Sequence, residues 1–175
     1  MSRLSRAAQL VVLLLLLATC VGCDQATKIL AETRLAKSEP ISLLNGVLRF
    51  EYVENAGAFL SLGSALPASA RFFFLVVVVA GLLALGVGVA IFSDRMSLRQ
   101  KAVLALAVGG GLGNLIDRLA HGAVVDFMSL GIGPLRTGIF NFADVAITVG
   151  MVGVLWLAST EPASSAPADT VRVDE

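Results

Sequence analysis

The sequence predicts an all-α membrane protein with four transmembrane helices, a cytoplasmic N-terminus and C-terminus, a small extracytoplasmic β-hairpin-like segment and a second external loop. Three observations carry that prediction. Of the 175 residues, 57% are hydrophobic and 15% are charged, with a mean hydropathy of +0.86, a balance outside the range of soluble domains. Four stretches approach the roughly 20 apolar residues that cross a bilayer as a helix. Arg3 and Arg6 ahead of the first span and Arg95, Arg99 and Lys101 in a short link, finally, set an orientation. The formal net charge is zero, which removes the electrostatic footprint expected of a nucleic-acid binder.

The first span runs over about residues 7–30. It follows Arg3 and Arg6 and has the basic then apolar layout of a signal peptide. Cys20 and Cys23 lie one helical turn apart within it, a poor geometry for a disulfide and too few ligands for a structural metal. Both are expected to be buried apolar residues. The external segment 31–67 contains ISLLNGVLRFEYVEN, in which Asn45-Gly46 separates two apolar runs. Leu48, Phe50 and Tyr52 alternate there with Arg49 and Glu51, the pattern of a half-buried hairpin.

The second span covers about 68–92. Arg95, Arg99 and Lys101 fill the link to the third, at about 102–119, and so mark that link and the N-terminus as cytoplasmic. The third span ends in GGGLGN, residues 109–114. A phosphate loop would end in Gly-Lys-Ser/Thr, so Gly109 and Gly113 are instead a small-residue pair for close helix packing. The external segment 120–138 mixes apolar residues with Gly and Pro and suits a loop folded over the bilayer edge; His121, the single histidine, falls there. The fourth span covers about 139–158. Residues 1–160 form one integral membrane domain, and the polar, proline-bearing tail 161–175 is expected to be a disordered cytoplasmic segment.

Ionisable groups at membrane depth are costly and mark function. Here they gather at the outer ends of the spans: Asp24 and Lys28 on the first, Asn114, Asp117 and Arg118 on the third, Asp126 just beyond it, and Asn141 and Asp144 at the start of the fourth. Asp24 with Lys28 has i, i+4 spacing and serves equally as a salt bridge. Asp117 beside Arg118 has a structural reading too, and Asn114 and Asn141 have one as caps or interhelical bonds. Asp126 and Asp144 are different, because each is embedded in apolar sequence with no basic residue within a helical turn. Two such carboxylates brought together cannot both ionise cheaply, so one keeps a proton. That asymmetry is the chemistry of an aspartyl protease, in which the ionised partner activates water and the protonated one hydrogen-bonds the carbonyl oxygen.

The polar stretches resemble the lipoprotein signal peptidase (signal peptidase II) family. The matching segments are DQATK (24–28), NAGA (55–58), GGGLGNLIDR (109–118), VVDF (124–127) and FNFADVAI (140–147), in the family's order. Phe59 and Leu60 follow Ala58, where the family more often has a small residue and then an aromatic. The resemblance implies an aspartyl endopeptidase of the bacterial inner membrane that removes the signal peptide from diacylglyceryl-modified prolipoproteins just before the lipidated cysteine. It makes Asp126 and Asp144 the catalytic pair and Asp24, Lys28, Asn55, Gly57, Asn114, Arg118 and Asn141 the supporting residues, with Asp117 a structural member. It implies no metal or organic cofactor, lipid-modified prolipoproteins and membrane lipid as partners, a monomer, and an active site at the extracytoplasmic face.

Two rival readings fit less well. Arg3, Arg6, the apolar run and Cys23-Asp24 imitate a lipoprotein's own signal, but three further spans follow and Cys20 stands where such a signal prefers leucine. A small proton or ion carrier would use the same carboxylates, but the internal repeats common in carriers are absent.

Overall fold

A computed structural model describes residues 4–58, 63, 65–93 and 95–160. Arg3, Phe59, Leu60 and the tail 161–175 lie outside these residues. Four helices are long and apolar enough to cross a membrane: α1 (Arg6–Leu35), α2 (Ala68–Phe92), α3 (Leu98–His121) and α4 (Phe142–Thr160).

Their ends follow from local chemistry. The Ser5 hydroxyl accepts from the Ala8 N–H and starts α1, whose 30 residues make a rod of about 45 Å. α3 begins before the expected residue 102 because Ser97 and Gln100 form a reciprocal capping box. It stops at Gly122, which takes the left-handed conformation at φ 76°. α4 starts at Phe142 rather than near 139, since Asn141 caps it: Asn141 Oδ1 accepts from the Asp144 N–H at 3.0 Å, and Asp144 Oδ2 accepts from the Asn141 N–H at 3.2 Å. α2 opens into a π-helical turn over Phe73–Val78.

α3 is the centre of the bundle. Over its most apolar stretch 56% is buried, against 11%, 6% and 17% for α1, α2 and α4, so the other three wrap it and present their remaining faces to lipid. Its glycines make this possible. A Cβ at Gly109 would meet the Cys20 side chain on α1 at 2.9 Å, one at Gly110 would strike the Ala143 carbonyl on α4, and one at Gly113 would overlap the Asp24 carboxylate. The expected packing role of this glycine run is thus met on two sides of the helix. The two cysteines correct the expectation of burial: Cys20 is partly exposed and Cys23 exposed. A thiol facing hydrocarbon has no solvation to lose, so apolar character alone does not direct it inward.

The segments that link α1 to α2 and α3 to α4 form a four-stranded antiparallel sheet of order β1-β2-β3-β4, built from β1 (Ile41–Leu43), β2 (Leu48–Asn55), β3 (Val124–Ile132) and β4 (Leu135–Arg136). The β1–β2 hairpin turns where expected, with Asn45 at φ 55° and Gly46 at φ 85°. The all-α expectation and the second external loop are both corrected, because that segment is β3 and β4. The physical reason is non-local: β2 offers an unpaired edge, and Val124, Val125 and Phe127 have the β-branched and aromatic character to fill it. The β2–β3 register runs from Asn55↔Val124 and Val53↔Asp126 to Phe50↔Met128, with one extra residue in β2 between Phe50 and Val53. This bulge interrupts the expected alternation along β2.

Because the carbonyl facing Gly110 is backbone and cannot rotate away, Gly110→Ala should force α3 and α4 apart and lower stability by about 1–3 kcal/mol. Thermal unfolding in detergent checks this, and an unchanged midpoint would show that the helices are not in close contact there.

Candidate active site

The predicted polar residues reach the same place from α1, β2 and the loop after it, α3, β3 and the start of α4. Lys28 on α1 lies at its centre, with its side chain only 4% exposed. Its Nζ pairs with Asp24 at 2.8 Å and with Asp117 at 2.8 Å, and donates to Asn114 Oδ1 at 2.9 Å. Asp24 therefore is more than a helix-end ion pair. Its other oxygen, Oδ1, accepts from the Ala143 N–H at 2.9 Å, so α1 supplies a negative cap to the first turn of α4. Asp117 does not pair with its neighbour Arg118. It holds Lys28 and accepts from the Val125 N–H at 3.4 Å, tying the start of β3 to α3.

Asp126 and Asp144 sit on the two elements so fixed. Asp126 is buried on β3 and accepts from Asn55 Nδ2 at 2.9 Å and from Asn141 Nδ2 at 2.7 Å. Asp144, at the third position of α4, accepts from Asn114 Nδ2 at 2.9 Å and from the Asn141 N–H at 3.2 Å. Asn141 thus touches both carboxylates, one through its side chain and one through its backbone. Asn141 Nδ2 also reaches Asn114 Oδ1 at 3.2 Å, so the two asparagines form one amide bridge beneath the pair. A shallow cavity opens on both aspartates and is lined by Asn55, Asn114 and Arg118 as well.

Gly57 and Arg118 close the near wall. The Gly57 N–H donates to Asn55 Oδ1 at 2.9 Å, and Arg118 Nη2 donates to the Gly57 carbonyl at 2.9 Å. Arg118 Nη1 adds a 3.3 Å bond to the Asn114 carbonyl. All nine predicted site residues and Asp117 are thereby drawn into one connected set. Gln25 was not singled out from the sequence: its Nε2 donates to Asp117 Oδ1 at 2.9 Å, to the Gly113 carbonyl at 3.2 Å and to Asp24 Oδ2 at 3.3 Å. Its position inside the DQATK segment was the available signal. His121 ends α3 and is exposed.

Burial pushes the Asp126 carboxyl up to about 6, and the neighbouring Asp144 charge pushes the same way, against the lowering hydrogen bonds from Asn55 and Asn141. Near neutral pH this carboxyl therefore exchanges a proton readily. A second cavity, lined by Glu32, Tyr52, Glu54 and His121, shares Lys28 and Asp117 with the network but contains neither Asp126 nor Asp144.

Fold and site together define a membrane-embedded protein of four apolar helices organised around a buried carboxylate and amide network. The sequence model of the family described as Signal peptidase (SPase) II matches residues 16–160. The chain is 36% identical over 143 residues to a lipoprotein signal peptidase of Moorella thermoacetica, covering 82% of this chain and 89% of that one. It is 38% identical over 148 residues to a lipoprotein signal peptidase of Azoarcus sp., covering 82% and 80%. A solved structure described as a bacterial membrane enzyme superposes with a TM-score of 0.74 at 25% identity, covering 89% of this chain and 94% of that one. The chain belongs to the signal peptidase II family, and so to the multi-pass membrane proteases of lipoprotein processing, which remove signal peptides from prolipoproteins.

Lys28→Met would leave Asp24 and Asp117 buried without their cation. The expected cost is about 3–5 kcal/mol, read as a lowered unfolding midpoint in detergent. Stability equal to the parent chain would show that Lys28 is not the counter-ion holding α1 to α3.

Proposed function

We propose that the chain is an aspartic endopeptidase of the bacterial inner membrane. It cleaves diacylglyceryl-modified prolipoproteins just before the lipidated cysteine, with Asp126 and Asp144 as the catalytic dyad. The observation that carries this reading is the bridge of Asn141 and Asn114, which binds both carboxylates at once. In the proposed step, Asp144 is ionised and takes a proton from a water whose oxygen attacks the scissile carbonyl carbon. Asp126, the partner with the raised pKa, gives its proton to the carbonyl oxygen. Collapse of the tetrahedral species breaks the C–N bond, and the proton held by Asp144 passes to the leaving amine of the lipidated cysteine. Asp126 regains its proton from a hydroxyl of the tetrahedral species as that oxygen becomes the carbonyl of the new carboxylic acid. The dyad is a coupled pair, so pH profiles report values that belong to both groups.

Asp24, Lys28, Asn55, Gly57, Asn114, Arg118 and Asn141 act by holding the dyad and the peptide in place, and the reaction calls for no metal or organic cofactor. The substrate's acyl chains stay in lipid, which requires the scissile bond to lie at the bilayer edge. The spacing supports this depth: Asp24 follows Arg6 by 18 residues of continuous helix, a rise of about 27 Å against a hydrocarbon thickness of roughly 30 Å. The basic link with Arg95, Arg99 and Lys101 supports a cytoplasmic side opposite the site, with both termini cytoplasmic, the sheet outside and the protein acting as a monomer.

Asp126→Asn and Asp144→Asn should each lower kcat on a lipidated substrate in detergent by about a thousandfold or more, with the unfolding midpoint kept. Full activity in either variant would remove that aspartate from the chemistry. A second test uses the sign of one hydrogen bond. Asn55 favours the ionised form of Asp126, so Asn55→Ala should raise that pKa and move the alkaline limb of kcat/KM to higher pH. Movement to lower pH would contradict the assignment of the proton to Asp126.

A further inference from the structure

The sheet carries the site at one end and a patch of apolar side chains at the other. Asn55 and Asp126 lie at the site end of β2 and β3, and the strands run from there to the two turns, β1–β2 and β3–β4. At those turns Leu44 is 73% exposed, Ile132 78% and Leu135 82%. Leu43, Val47 and Leu130 beside them are also exposed. Leu44 holds φ at 51°, a conformation that a bulky side chain rarely adopts, and it points into no core.

The two turns are fastened into one tip. The Gly131 N–H donates to the Val47 carbonyl at 2.9 Å, and Arg136 Nη1 donates to the Gly46 carbonyl at 2.6 Å while Nη2 holds the Ser129 carbonyl at 3.2 Å. Arg49, opposite Ser129 in the β2–β3 register, adds a second guanidinium on the site side of the tip. An apolar end with cationic groups behind it matches the layering of a phospholipid leaflet, with acyl chains beyond the phosphates. The occupant is further indicated by the rest of the chain: β1 begins only a few residues beyond the end of α1, whose exposed leucines and valines already form a lipid-facing surface.

We infer that the paired tips of the sheet insert into the outer leaflet as a second, non-helical membrane anchor, with Leu44, Ile132 and Leu135 among the acyl chains and Arg49 and Arg136 at the phosphates. The anchor fixes the sheet, and with it Asp126, against the membrane surface, so that the site stays level with a substrate held in lipid. This rests on the four membrane spans and not on the proposed dyad.

The test uses the full chain with Trp156→Phe, which removes the single native tryptophan, and Leu44→Trp, Leu135→Trp or, as a control in an exposed connection, Glu39→Trp. Each is reconstituted in phosphatidylcholine and phosphatidylglycerol vesicles containing brominated acyl chains. Tryptophan at 44 and 135 should be quenched by the brominated lipid and shielded from iodide, with the reverse at 39. Iodide quenching without lipid quenching at 44 and 135 would overturn the anchor. So would shielding that grows with the protein-to-lipid ratio, which would mark contact between copies. A second readout avoids the added indoles: Leu44→Asp with Leu135→Asp should retain hydrolysis of detergent-dissolved substrate and lose it several-fold in vesicles. Equal activity, or equal loss, in both media would refute the proposal.

Discussion

Lys28 is a cation that the fold has to surround. Its ammonium is nearly excluded from solvent and takes Asp24 from its own helix and Asp117 and Asn114 from α3. Removing any one of these would leave charge exposed to a medium of low dielectric, where the penalty is large. The consequence reaches further than α1 and α3. Asp24 is simultaneously committed to the Ala143 N–H and Asp117 to the Val125 N–H, so the start of α4 and the start of β3 are located by the same cation. Asp144 and Asp126 are carried on those two starts. Close approach depends on Gly113 as well, since a side chain there would occupy the space of the Asp24 carboxylate.

The network is directional, and this determines what the two aspartates experience. Lys28 can only donate, so Asn114 turns Oδ1 towards it and leaves Nδ2 for Asp144. Asn141 Oδ1 is taken by the Asp144 N–H, which leaves its own Nδ2 for Asp126. Neither amide can be reversed without setting donor against donor. The two aspartates are therefore held by side chains whose orientation is decided elsewhere, the kind of preorganisation that the proposed catalysis calls for. Burial raises Asp126 to about 6, which suits it to hold the proton in the proposed step.

The four spans were legible in the sequence because lipid demands long apolar helices, and the gathering of polar residues at one depth was legible because such residues are otherwise so costly there. The Asn45-Gly46 turn was legible as well, since left-handed backbone favours those residues. What escaped was non-local. β3 read as a loop because its partner, β2, lies about 70 residues earlier in the chain and because glycine and proline follow closely at 131–134. The partner of Asp117 was hidden for a similar reason: Arg118 is its neighbour in sequence but lies on a different side of the helix and serves Gly57. Gln25 stood in a recognised segment, yet an amide beside an aspartate has no distinctive signature until the second carboxylate is brought across from α3.

In the proposed reaction Asp126 and Asp144 flank the peptide bond of a substrate held at the membrane edge. The most direct measurement is an experimental structure of the chain with a non-cleavable lipidated peptide that spans the cleavage position. The scissile carbonyl carbon should lie between the two carboxylates, with reacting oxygens within about 3.5 Å and the diacylglyceryl chains in the bilayer plane. A peptide seated instead in the cavity of Glu32, Tyr52, Glu54 and His121, away from both aspartates, would contradict it.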